Sequence, residues 1–115
     1  MNMEYTHQPD YFFFAHRLVL FLEDHLRKHP HTEAEFNLQS IHHQVFGHDR
    51  ASSSINLEGI LNIADEYQFQ TQMGALPLIQ SYMIHFDNHV LKVQFHPASI
   101  QSLIAGQSSI YPKVA

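Results

Sequence analysis

Apolar residues in the first part of the chain recur at helical spacing. Tyr11, Phe14, Ala15, Leu18, Leu22 and Leu26 stand three and four residues apart, the repeat of one helix face. Asp10 is a good N-cap and Pro9 precedes it, so a helix is predicted to begin after Asp10. It ends near His29-Pro30, because proline pushes the residue before it out of the helical region. Phe12, Val19 and Phe21 widen the stripe until the helix is apolar nearly all round. Such a helix is central to a fold or shared with a second subunit.

A second helix has two possible starts. Thr32-Glu33-Ala34-Glu35 has the spacing of a capping box, and Asn37 could cap a later one. Leu38, Ile41 and Val45 follow at helical spacing, and Gly47 is a left-handed stop. The polar segment His48 to Ser54 reads as a mobile loop. Leu57, Ile60, Leu61, Ala64 and Tyr67 mark a third helix, whose outer face carries Glu58, Asn62, Asp65 and Glu66. QFQTQM then alternates and could form a short strand before GALP turns the chain.

Residues 81 to 95, SYMIHFDNHVLKVQF, switch to a period of two. They predict a hairpin with a type I′ turn at Asp87-Asn88, two residues that tolerate positive φ. Its register pairs Ile84 with Leu91 and Tyr82 with Val93. One face carries Tyr82, Ile84, Phe86, Leu91, Val93 and Phe95; the other carries Met83, His85, Val90, Lys92 and Gln94. Pro97 opens a last helix, Ala98 to Ala105, which Gly106 closes. The predicted fold is α+β: a three-helix core, an antiparallel hairpin and a short C-terminal helix. A single domain spans 10–106, with a flexible N-terminus at 1–9 and a loose tail at 107–115.

Composition narrows the function. The chain has 115 residues, 44% of them hydrophobic, enough for one core. It has no cysteine, which removes disulfides, thiolate zinc sites and thiol nucleophiles together. No run of about 18 apolar residues occurs, so no membrane insertion is expected. MNMEYTHQPD offers no Lys or Arg; no signal peptide is expected, and the default location is cytoplasmic. Eleven acidic residues outnumber six Lys and Arg, which are Arg17, Arg27, Lys28, Arg50, Lys92 and Lys113. Phosphate binding needs clustered cations, and these are scattered, so nucleic-acid binding is not expected.

The order of two helices, a third helix and a hairpin resembles a winged helix-turn-helix, with NLQSIHHQVFG similar to the motif's first helix in spacing and final glycine. That resemblance implies a DNA-binding regulator in which the third helix reads bases. The third helix has no Lys or Arg, however, and its loop is long for the family. A second resemblance runs through LEGILNIADEYQFQTQM and the hairpin histidine. It is similar to the C39 peptidase-like domains of bacterial peptide and toxin exporters. There a cysteine near the start of the first helix meets a late histidine, so the matching positions here are Asp10 to Phe14 and His89. Without a cysteine the implied role is docking and not peptidase chemistry.

Eleven histidines are His7, His16, His25, His29, His31, His42, His43, His48, His85, His89 and His96. His25 and His29 stand four apart, the spacing by which two imidazoles can share a metal ion. The alternative is that both are boundary residues near a helix C-terminus, where a cation favours the dipole. No metal or other cofactor is expected. Protonation of many histidines near pH 6 moves the formal charge of −5 towards zero. Ser52 to Ser54 beside His48 and Asp49 read as loop. Glu23-Asp24, Glu33/Glu35 and Asp65-Glu66 read as solvated faces. No phosphate loop, HExxH or GxSxG is present.

Elimination leaves a small acidic, non-catalytic interaction module: a regulator or adaptor that binds a protein partner and forms a homodimer. The residues expected to carry that contact are Tyr11, Phe12, Phe13 and Phe21, more aromatic surface than one side of a small core can use.

Overall fold

The computed structural model describes residues 11–46 and 57–106. The first helix, α1, runs Tyr11–Lys28, within the limits that Asp10 and Pro30 imply. It buries Ala15, Leu18, Val19, Leu22 and Leu26, the stripe of the sequence repeat.

The next segment departs from expectation. Glu33–Asn37 is a strand, β1, and not the first turn of a helix. Its side chains alternate, with Phe36 buried while Glu33, Glu35 and Asn37 face outward. A capping-box spacing carries no weight where a partner strand supplies the backbone bonds that a helix would otherwise make. The second start was the right one. Asn37 Oδ1 accepts the backbone N–H groups of Gln39 at 2.9 Å and Ser40 at 3.1 Å. Helix α2 follows at Leu38–Ile41 and widens into a π-helical turn at His42–Phe46. The expected stop at Gly47 and the loop from His48 to Ser54 lie outside the described residues, as do the two termini.

Helix α3 spans Leu57–Ala64 and packs on α1. QFQTQM does leave the helix as a strand, β2 (Gln68–Thr71), and GALP is its antiparallel partner β3 (Gly74–Pro77). The turn between them rests on Thr71, whose hydroxyl donates to the Gly74 carbonyl at 2.7 Å and accepts the Met73 N–H at 3.0 Å. Gly74 has φ of 102°, a conformation that glycine alone adopts without strain.

The predicted hairpin is β4 (Ile79–His85) and β5 (Val90–Phe95). Its register is the expected one, Ile84 against Leu91 and Tyr82 against Val93. The turn differs. Its positive φ falls on His89, at 55°, and not on Asp87 or Asn88. Phe86 to His89 form a four-residue loop, closed by a bond from the His89 N–H to the Phe86 carbonyl at 3.3 Å. Phe86, assigned to the apolar face, is therefore in the loop and exposed.

Strand β5 is central in a three-stranded antiparallel sheet ordered β1-β5-β4. Its inner face, with Phe36, Leu91, Val93 and Phe95, closes on α1 in one core. The last helix, α4 (Pro97–Ile104), lies on the β2–β3 hairpin. Buried Ser99 donates to the Pro77 carbonyl at 2.9 Å, and Ser102 to the Gln70 carbonyl at 2.9 Å. The architecture is α+β. No helix among the described residues is long and apolar enough to cross a membrane.

Candidate functional site

The helix α1 presents two faces, because 18 residues at 3.6 per turn leave positions opposite the core wherever the apolar pattern runs all round. Three large apolar side chains of α1 are exposed: Phe13 at 52% and Leu20 at 48% on its outer side, and Phe12 at 46% in its first turn, on the side that Val19 buries two turns further on. Arg17 lies with its guanidinium carbon 5.8 Å from the Phe13 ring centre, a distance at which a cation is drawn to an aromatic face. Asp24, Arg27 and Lys28 continue this exposed side. Lys28 bonds Asp24 at 3.1 Å one turn away.

The four aromatic residues singled out in the sequence therefore divide. Phe12 and Phe13 remain at the surface, whereas Tyr11 and Phe21 are partly buried against the core. Phe21 meets Phe36 edge to face at 5.5 Å. Leu20 takes its place outside, and the sequence did hold a signal for it: Leu20 is seven residues beyond Phe13, two full turns along the same side.

Glu23 contradicts its reading as solvated. It is only 4% exposed, because it follows Val19 by four residues and precedes Leu26 by three, on the margin of the buried face. Arg27 approaches its Oε1 at 3.5 Å, and Oε2 is buried without a hydrogen-bond partner among the described residues.

The histidines converge only in part. His25 and His29 bring their rings to 5.2 Å between centres, and His25 also packs edge-on to Phe36 at 4.9 Å. Burial lowers the His25 pKa, helped by the nearby charges of His29 and His31 and opposed by Asp24. The pair that spacing placed on one face is thus real. Among the described residues no group of three His, Asp or Glu is arranged to hold a metal ion.

Two further surfaces complete the description. The outer face of the sheet is a shallow trough of about 750 Å³ that includes Glu33, Glu35, Met83, His85 and Lys92. Hydrogen bonds from Ser81 to Gln94 and from Gln94 to Glu33, each 3.0 Å, cross its three strands. On α3, Asn62 accepts the Tyr82 hydroxyl at 2.6 Å. Burial raises the Tyr82 pKa, with Asp65 and Glu58 adding to it; burial, with Glu66, likewise raises that of Asp65. The helix that a winged helix would offer to DNA is therefore acidic where it meets β4. His89, the histidine of the peptidase resemblance, ends the β4–β5 loop, and its carbonyl accepts the Leu38 N–H at 2.8 Å.

Comparison with known proteins found no match: no family model fits the chain, no curated protein is significantly similar to it, and no solved structure matches it.

Proposed function

We propose that this protein is a non-catalytic interaction module, a regulator or adaptor, that binds a protein partner through the outer side of α1. The observation that carries the reading is the exposure of Phe13 and Leu20 on the side of α1 opposite its buried face, with Phe12 also exposed in the first turn of the same helix. A single exposed apolar residue is ordinary; three large ones on one rigid element are the composition of an interface centre. Phenylalanine and arginine are also among the residue types enriched at such centres. The acidic face of α3 and the net charge of −5 favour a protein partner over nucleic acid.

The test is photo-crosslinking of the full chain in its native extract. A photoreactive phenylalanine analogue replaces Phe13 in one sample and Gln101, exposed on α4, in a control. Adducts are expected from position 13 in excess of position 101. Equal yields from the two positions, repeated at Phe12 and Leu20, reject the reading.

A further inference from the structure

The outer side of α1 carries more order than its grease alone. Phe13, Arg17, Leu20, Asp24 and Arg27 are all exposed and follow one another at intervals of four, three, four and three. Residues at that spacing are neighbours along one side of a helix, within reach of a second helix laid against it. The charges on the seam are arranged about its middle: Arg17 precedes Leu20 by three residues and Asp24 follows it by four, while Phe13 and Arg27 stand seven to either side.

We infer that the partner of this face is a second copy of the chain, with the two α1 helices antiparallel about a twofold axis near Leu20. This rests on the interaction reading above and names its occupant. A twofold contact uses the same patch on both subunits, so the patch must complement itself. Turned about Leu20, this one does. Leu20 meets Leu20 of the second copy, Arg17 meets Asp24 of the second copy twice over, and Phe13 meets Arg27 in cation–π geometry at both ends. The parallel arrangement places Arg17 against Arg17 and Asp24 against Asp24, and like charges exclude it.

The charge distribution points the same way. Each chain carries −5, so most faces of two copies repel each other. Within Tyr11–Lys28, however, three Lys and Arg outnumber two carboxylates. Asp24 is already bonded to Lys28 at 3.1 Å, with both side chains still well over half exposed. A carboxylate has acceptor sites for both Lys28 and an incoming guanidinium. Arg27 is held only loosely, at 3.5 Å from Glu23, and is itself half exposed.

Sedimentation velocity of the full, untagged chain across the micromolar range tests this. The wild type is expected to associate to a dimer. Leu20→Glu, Arg17→Asp and Asp24→Arg are each expected to weaken the dimer about tenfold or more, with far-UV circular dichroism unchanged because all three positions are exposed. The double variant Arg17→Asp/Asp24→Arg restores both pairs and is expected to recover the dimer. A wild type that stays monomeric overturns the inference. So does a dimer indifferent to Leu20→Glu, which is then built on another surface such as the open edge of β4, and so does a double variant no better than the singles. Adducts from position 13 to a different protein, with a monomeric wild type, leave the interaction reading intact and remove only the second copy.

Discussion

The backbone N–H of Leu38 donates to the carbonyl of His89 at 2.8 Å, so the first residue of α2 is held by the last residue of the β4–β5 loop. One bond thus joins a helix start to a hairpin end that lies far along the chain. It depends on His89 keeping φ at 55°, a conformation that costs a residue with a Cβ about 1–2 kcal/mol and a β-branched residue more than most.

The consequence is a definite order of stabilities at position 89. His89→Gly is expected to match or exceed the wild type by up to about 1 kcal/mol, and His89→Val to fall below it by about 1–2 kcal/mol. Urea unfolding followed by circular dichroism gives the three values. A valine variant as stable as the glycine variant contradicts the left-handed turn.

Asn37 caps α2 with one oxygen that accepts two backbone N–H groups. Asn37→Ala is expected to cost about 1 kcal/mol, and Asn37→Asp, which keeps the acceptor, to cost little. The strand reading makes a further demand: Thr32→Ala, which removes the hydroxyl of the supposed capping box, leaves stability within about 0.5 kcal/mol. The same unfolding experiment separates the two starts.

Glu23 places a carboxylate on the margin of the core with one oxygen that no described residue satisfies. Burying such a group without a partner costs about 1–3 kcal/mol. Glu23→Met keeps the length of the side chain and removes that cost, so it is expected to raise the unfolding free energy by about 1 kcal/mol or more. A methionine variant less stable than wild type would show that the carboxylate is satisfied after all.

For His25 the pH dependence has a definite sign. Burial first, then His29 and His31, lower its pKa in the folded chain. The unfolded chain therefore binds more protons at this site than the folded one below the ordinary histidine pKa of about 6.5. Its contribution to stability is complete above that value and is lost as the pH falls through it towards the folded pKa. Between about pH 7.5 and 5.5 the wild type is expected to lose more stability than His25→Gln. Parallel curves for the two proteins count against the packing of His25 on Phe36.

The legible parts of this fold are those fixed by neighbours in sequence. The end of α1 follows from its repeat and from Pro30, while the cap expected at Asp10 lies outside the described residues, and the β4–β5 register follows from alternation about a short turn. Strand β1 was hidden because its partner lies far along the chain: Glu33 pairs with Gln94, and Thr32 accepts the Phe95 N–H at 2.8 Å. The positive φ expected at Asp87-Asn88 falls instead on His89, whose carbonyl takes the N–H of Leu38, a residue far away in sequence. At the candidate site, Phe12 and Phe13 were legible as surplus aromatic surface. Phe21 was not separable from them until Phe36 of β1 came to cover it.

The sequence by itself determined the class of fold, the extent of the leading helix, the shortage of clustered positive charge and the excess of apolar residues on α1. These follow from local periodicity and from composition, which need no knowledge of what folds against what. Only the tertiary structure decided which of those residues face outward. An all-round apolar helix has no outer side until a sheet and two helices pack on it. Packing of α1 against α3, α4, the π-helical turn and Phe36 of β1 is what turns Phe21 inward and leaves Phe13, Arg17, Leu20 and Asp24 in a row at the surface.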